Sequence, residues 1–285
     1  MNKSLQSILK DCLPPAIFRL LVCAVTELKF LSCARKDILQ KNRALEGLGK
    51  GKRAFLLATG PSIKQEDLKL LSGEDCFSIS NFFLHDDIQV INPVFHSFDT
   101  IYHEPLILEN IVEWLQQANR MLPSRTKIVL DHSSYDIVQK FGLFPERDVY
   151  YLYLGHKLGL DITKPVLGHQ TGPLFMLPLM IYMGYERIYL LGCDNTTLRD
   201  YKKSVTNFYS PDQDIRKNAT DQNAWSDIET EFRVNLICFE QYKYYSNILA
   251  GTSTSIINLS VDSWLEMFPF DRLEYIIQPL AREKE

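Results

Sequence analysis

Short clusters of small and hydrogen-bonding residues stand where an α/β chain does its chemistry. They are Thr59-Gly60-Pro61-Ser62, Asn81, Asp99, Asp131-His132 and Gly192-Cys193-Asp194, with Thr171-Gly172 opening an apolar segment. Glycines let a ligand approach backbone amides closely. A helix start just beyond a glycine turn points free N–H groups at a phosphate, and Asn or Asp side chains bind base and ribose edges. Strand ends also attract Asn, Asp and Gly purely as turn formers. Their recurrence at the end of nearly every expected strand favours a crevice that binds a nucleotide.

Other chemistries lack their residues. There is no G-x-x-x-x-G-K-[ST] loop, no G-x-G-x-x-G fingerprint and no G-x-S-x-G elbow. No D-x-D ends a strand, and Asp86-Asp87 reads as a solvated turn, so no metal is expected. His103, His132 and His169 fall at expected strand ends or a helix start, where a general base would serve, although each also fits a structural role. Six cysteines are spread along the chain without a C-x-x-C pair, as in a reduced protein with buried thiols. The net charge of −4 leaves no basic field for a nucleic acid backbone.

The elements that must carry these residues follow from short apolar runs ended by turn signals. Strands are expected at Phe55–Ala58, Cys76–Ser80, Pro93–Phe98, Thr126–Leu130, Asp148–Tyr153, Arg187–Leu191 and Ser255–Leu259, the fifth aromatic and near an edge. Between them lie a helix from Lys64 capped by Ser62, one over Glu104–Met121 and a short one from Tyr135 capped by Ser134. An apolar helix kinked at Pro178, a long helix over Asp227–Leu249 and a closing helix over Val261–Phe268 complete the set. Alternating strands and helices without hairpin signals predict a doubly wound, mostly parallel, Rossmann-like sheet. The polar stretch from Asn195 to Trp225 reads as a lid whose aromatics order over a ligand, or as a disordered excursion.

With 285 residues, 46% hydrophobic and 23% charged, the chain supports one large domain. Residues 51–285 form the expected catalytic domain, with the lid at about 195–226, and residues 1–50 an N-terminal helical extension and linker. The apolar run Pro14–Val25 is too short to span a bilayer and lacks a cleavage site. A helix there places Ile17, Leu20, Leu21 and Val25 on one side, for packing on the domain (the preferred reading) or as an interfacial anchor. The expected location is the cytoplasm, with peripheral contact at the cytoplasmic face of the inner membrane if that helix touches lipid.

The Gly-Pro-Ser strand end, Asn81, the Thr171-Gly172 helix start and the run from Tyr185 to Asp194 together resemble the metal-independent bacterial sialyltransferases. They look equally like the wider superfamily of motility accessory factors and 6-hydroxymethylpterin diphosphokinases. Such proteins are typical of capsule and lipopolysaccharide clusters. The resemblance covers about Lys52 to Phe268 and implies a GT-A-type domain without a cofactor. It also implies a CMP-sugar donor, a glycan or glycolipid acceptor, and inversion without a metal. It places Thr59, Gly60, Ser62, Asn81, Asp99, Thr171, Gly172, Gly192 and Asp194 around the donor, with Tyr201 and Tyr209 on the departing phosphate. Two positions depart from the pattern. Thr59 stands where asparagine is usual, and no histidine follows His169, which leaves Asp227, Glu229 or His132 to deprotonate the acceptor. A Mg-dependent pyrophosphokinase using ATP and a non-catalytic assembly protein are the alternative readings.

Overall fold

A computed structural model describes residues 12–32, 35–98, 108–155, 159–203, 207–216 and 226–277. Asp99, His103 and Trp225 lie outside them. Seven strands form one parallel sheet: β1 Arg53–Leu57, β2 Asp75–Ile79, β3 Phe95–Phe98, β4 Lys127–Asp131, β5 Val149–Leu152, β8 Arg187–Leu191 and β9 Ser255–Asn258. Their spatial order is β5-β4-β3-β2-β1-β8-β9. Every expected strand is present, and aromatic β5 is indeed an edge. A small parallel pair, β6 Leu154–Gly155 and β7 Val166–Leu167, stands apart from the main sheet.

The chain winds from β1 outward to β5, then returns to place β8 on the other side of β1. The reversal between β1 and β8 leaves a crevice beyond their carboxyl ends, because the following segments diverge to opposite faces. Register keeps the tips level: Leu57 lies opposite both Ser78 and Leu191. Fully buried strands explain the near-continuous apolar runs in the sequence.

Eight helices are described: α1 Pro15–Leu31, α2 Asp37–Gln40, α3 Ile88–Ile91, α4 Leu108–Met121, α5 Tyr135–Lys140, α6 Gly172–Tyr182, α7 Ile228–Leu249 and α8 Leu273–Ile277. One sheet face packs Leu56, Phe77 and Leu190 against α6 and the α7 residues Cys238, Tyr242 and Tyr245. The other packs Phe55, Phe98 and Leu130 against Ile111, Trp114 and Leu115 of α4. Apolar residues of α6 are buried all round, so the helix runs through Pro178 as one element in the core. Residues 37–45, assigned by sequence to the extension, are also built into the fold. Leu39 and Leu45 are in the core, and the buried Asn42 amide donates to the carbonyls of Tyr151 and Ile162, both at 2.8 Å.

Several expectations need correction. Ser62 does not cap a helix: Pro61–Gln65 and Leu68–Leu71 are separate 3-10 turns, because Glu66 is extended and the Ser62 side chain turns inward. Ser134 makes no cap bond, and Asp131 instead accepts from the Ser133 amide at 3.3 Å. Val261–Phe268 is not helical. Ser263 within it donates to the Cys193 carbonyl at 2.7 Å, and Ser260 just before it accepts from the Cys193 amide at 3.0 Å. The apolar face of α1 that was expected to pack on the domain turns outward instead: Ile17, Leu20 and Leu21 are exposed, whereas Val22 and Thr26 are buried.

Candidate functional site

Close approach of two strand tips builds the floor of the crevice. The Ala58 amide donates to the Leu191 carbonyl at 2.8 Å, and the Gly60 amide donates to the Gly192 carbonyl at 3.0 Å. A Cβ on Gly60 would lie 2.5 Å from that carbonyl oxygen and from Asp194 Oδ2. Gly192 has φ +69°, and a Cβ there would meet the Ala58 oxygen at 2.7 Å. Neither position accommodates a side chain. Beyond the tips opens a cleft of about 310 Å³ lined by Thr59, Gly60, Thr171, Gly172, Gly192 and Asp194, together with Ser80, Asn195, Asp200 and Arg216. Six of the residues expected around a donor therefore meet in one place.

Ser62 and Asn81 stand behind the lining. The Ser62 amide donates to Asp194 Oδ2 at 3.0 Å, and its hydroxyl donates to Oδ1. Each Asp194 oxygen keeps acceptor capacity for a ligand hydroxyl. The Asp194 carbonyl accepts from the Trp264 amide at 3.0 Å, so the non-helical segment after β9 braces this side of the cleft. Asn81 is buried, accepts from Trp114 Nε1 at 2.5 Å, and its side chain lies beside Asp214 and Tyr209.

Two lining residues hold left-handed backbone, Ser80 at φ +51° and Asn195 at +52°. A fully buried histidine fixes the first. The Ser80 carbonyl can only accept, so His96 Nε2 donates to it at 2.9 Å, and Nδ1 accepts from the Ser78 hydroxyl at 2.7 Å. Burial drives the His96 pKa down to about 3, so the ring is neutral. Asn195 is held by its amide donating to the buried Cys238 thiol at 3.2 Å.

Across the strand tips lies the described part of the polar stretch 195–226. The Phe208 amide donates to the Thr59 carbonyl at 3.2 Å, and its ring packs on Phe82 and His85. Farther along, Arg216 reaches the cleft with its guanidinium on Asp214, Nη2 to Oδ2 2.6 Å, and 4.4 Å over the Trp114 ring. Burial pushes the Asp214 carboxyl up, and the arginine overrides this, leaving it below the ordinary carboxylate range. Among the described lining residues Arg216 is the one cation. Sequence reasoning missed it because nothing in a polar, irregular stretch distinguishes one arginine.

The remaining expected residues lie elsewhere. Tyr209 is buried beneath Phe208 and lines a neighbouring hollow with His85 and Lys64. The Tyr201 hydroxyl donates to the Ser226 carbonyl at 3.1 Å. Asp227 caps α7, accepting from the Thr230 amide at 3.0 Å and hydroxyl at 2.6 Å, and these bonds lower its pKa. A carboxylate so held is a poorer base. Glu229 pairs with Arg233 at 2.6 Å. His132, three strands away from β1, packs on Tyr153. Phe208 and Tyr209 thus order against the protein's own rings.

No protein-family model matches this chain, and no curated protein does. Among the solved structures similar to it are sialyltransferases. One is the sialyltransferase CST-II in complex with a trisaccharide acceptor and CMP, 14% identical over 77% of this chain and 86% of that one, at TM-score 0.45. Another is a point variant of the α-2,3/8-sialyltransferase CstII, 15% identical over 77% of this chain and 86% of that one, at TM-score 0.41. The fold assignment rests on the strand order itself. Among the described residues no three of His, Cys, Asp and Glu converge as metal ligands, and Cys12, Cys76, Cys193 and Cys238 are free thiols.

Proposed function

We propose that the cleft binds a nucleotide-activated sugar and that the protein transfers the sugar to a glycan acceptor. The observation that carries this reading is the convergence on one hollow of the Gly60 and Gly192 tips, the start of α6 and a single lid arginine. No side chain caps α6 at Thr171, and Gly172 of its first turn lines the cleft, where the helix start favours an anion; Pro173 beside it has no N–H to offer. The Gly-Pro-Ser, Thr-Gly and Gly-Cys-Asp motifs, through their resemblance to the sialyltransferases, support glycosyl transfer from a CMP donor.

In this reading the helix start and Arg216 hold the donor phosphate and take up the negative charge that grows on it as the glycosidic bond breaks. That stabilisation substitutes for a divalent cation. Asp194, steadied by Ser62, accepts from donor hydroxyls. Asp200, although it pairs with Arg199 at 3.3 Å and Lys203 at 3.5 Å, is the carboxylate in the cleft nearest the role of general base, since Asp194 is held by Ser62, Asp227 caps a helix and His132 lies apart. Attack by the acceptor opposite the leaving phosphate inverts the anomeric centre.

Titration calorimetry with CMP, UDP and ATP, each with and without Mg²⁺, tests the assignment. CMP binding that ignores the metal is expected. Mg-dependent ATP binding would instead assign pyrophosphoryl transfer, and no binding by any nucleotide would leave an assembly protein.

A further inference from the structure

On α1 the usual arrangement of a surface helix is reversed. At 3.6 residues per turn, Ile17, Leu20, Leu21, Ala24, Leu28 and Leu31 fall within an arc of about 100°. All six are exposed, Leu20 at 72% and Leu28 and Leu31 at 64% each. The opposite side makes the attachment to the domain. Val22 and Thr26 are buried, the Thr26 methyl sits where a Cβ on Gly155 would come within 2.8 Å, and Phe30 packs edge-on against Tyr153 at 5.1 Å. The helix is therefore fixed in orientation with an uninterrupted apolar stripe facing away from the protein.

Charge identifies what covers the stripe. Residues 1–53 contain eleven lysines and arginines against four acidic residues, a net +7, whereas the whole chain is −4, leaving −11 for everything after. Two of these cations stand just beyond the end of the stripe. Arg35 lies 4.5 Å over the Tyr135 ring and 3.2 Å from Asp136, and Lys36 lies 5.5 Å over Phe30. Arg35, Lys41, Lys52 and Arg53 pair with Asp136, Asp148, Asp75 and Glu74 outside this segment. Within α1, Arg19 and Lys29 stand against Glu27, so pairing it with a second copy would still bring two net-positive helices together. An anionic surface with an apolar layer beneath it satisfies both features. At 17 residues α1 is short for a bilayer, and among the described residues no helix is long and apolar enough to cross one.

We infer that α1 lies in the interface of an anionic lipid bilayer, with Ile17, Leu20, Leu28 and Leu31 inserted among the acyl chains and the flanking cations on the headgroups. This orientation does not depend on the transferase reading, and its test needs no nucleotide. The full-length protein is floated with vesicles of equal parts phosphatidylglycerol and phosphatidylcholine, and with vesicles of phosphatidylcholine alone. Wild type is expected to float with the mixed vesicles, less so in high salt, and weakly or not at all with the neutral ones. The double variant Leu20→Glu, Leu28→Glu is expected to lose about tenfold or more of that binding. In Leu28→Trp, a vesicle-dependent blue shift of emission should report insertion, without depending on the charged variant's fold. Failure of the wild type to float, equal flotation of the double variant, or no shift at Trp would each overturn the inference. So would an oligomer that the glutamates dissociate in the absence of any vesicle binding, which would assign the face to a second copy.

Discussion

Below pH 6.5 an unfolded chain protonates its histidines, but the folded chain holds His96 neutral down to about pH 3, sealed between Ser78 and Ser80. In that window the unfolded state binds the extra proton. Stability contributed by the neutral ring is complete above pH 6.5 and falls as the pH drops towards 3, at up to about 1.4 kcal/mol per pH unit. Urea unfolding across this range should show the slope, and His96→Gln should flatten it. An unchanged slope would mean that another group sets the acid limb. Arg216 makes a different demand on its side chain, because it must grip Asp214, stack on Trp114 and still face the cleft. Lysine does none of this in the same plane. If the arginine holds donor phosphate, both Arg216→Ala and Arg216→Lys should weaken CMP by roughly tenfold to a hundredfold, the range of a charged hydrogen bond. Calorimetry reads the difference, and a lysine variant that binds like wild type would contradict the stacked, bidentate role.

Among the elements, the paired tips of β1 and β8 matter most, since a displacement of either would close the cleft. Gly192→Ala forces a side chain into left-handed backbone and against the Ala58 carbonyl, with a cost of about 1–3 kcal/mol. Thermal unfolding should register the loss, and nucleotide binding should weaken with it. Normal stability in the alanine variant would show that the two tips move apart freely. The strands were legible in the sequence because fully buried parallel strands leave short apolar runs that nothing else in the chain imitates. The segments after them were harder to read. Ser62, Ser260 and Ser263 look like helix or turn formers, but each bonds to the β8 tip, and a pairing across more than 60 residues leaves no local trace. The α1 stripe was visible as a pattern, and only the fold shows that Val22 and Thr26, not the leucines, face the domain.

For the molecule as a whole, the doubly wound order fixes where a ligand can sit, and the sequence placed Thr59, Gly60, Thr171, Gly172, Gly192 and Asp194 there because strand ends are easy to locate. The polar stretch 195–226 was not legible at that level. Its arginine reaches the cleft while held by Asp214, two residues away, and by Trp114, which sequence spacing does not connect to it. Amide hydrogen exchange of the full-length protein, free and saturated with CMP, tests the account most directly. Protection is predicted at Thr59–Gly60, Gly172–Phe175, Gly192–Asn195 and the segment from Asn207 to Arg216. Protection centred instead on the groove beside β5, around Tyr135, Leu143 and Tyr151, would contradict it.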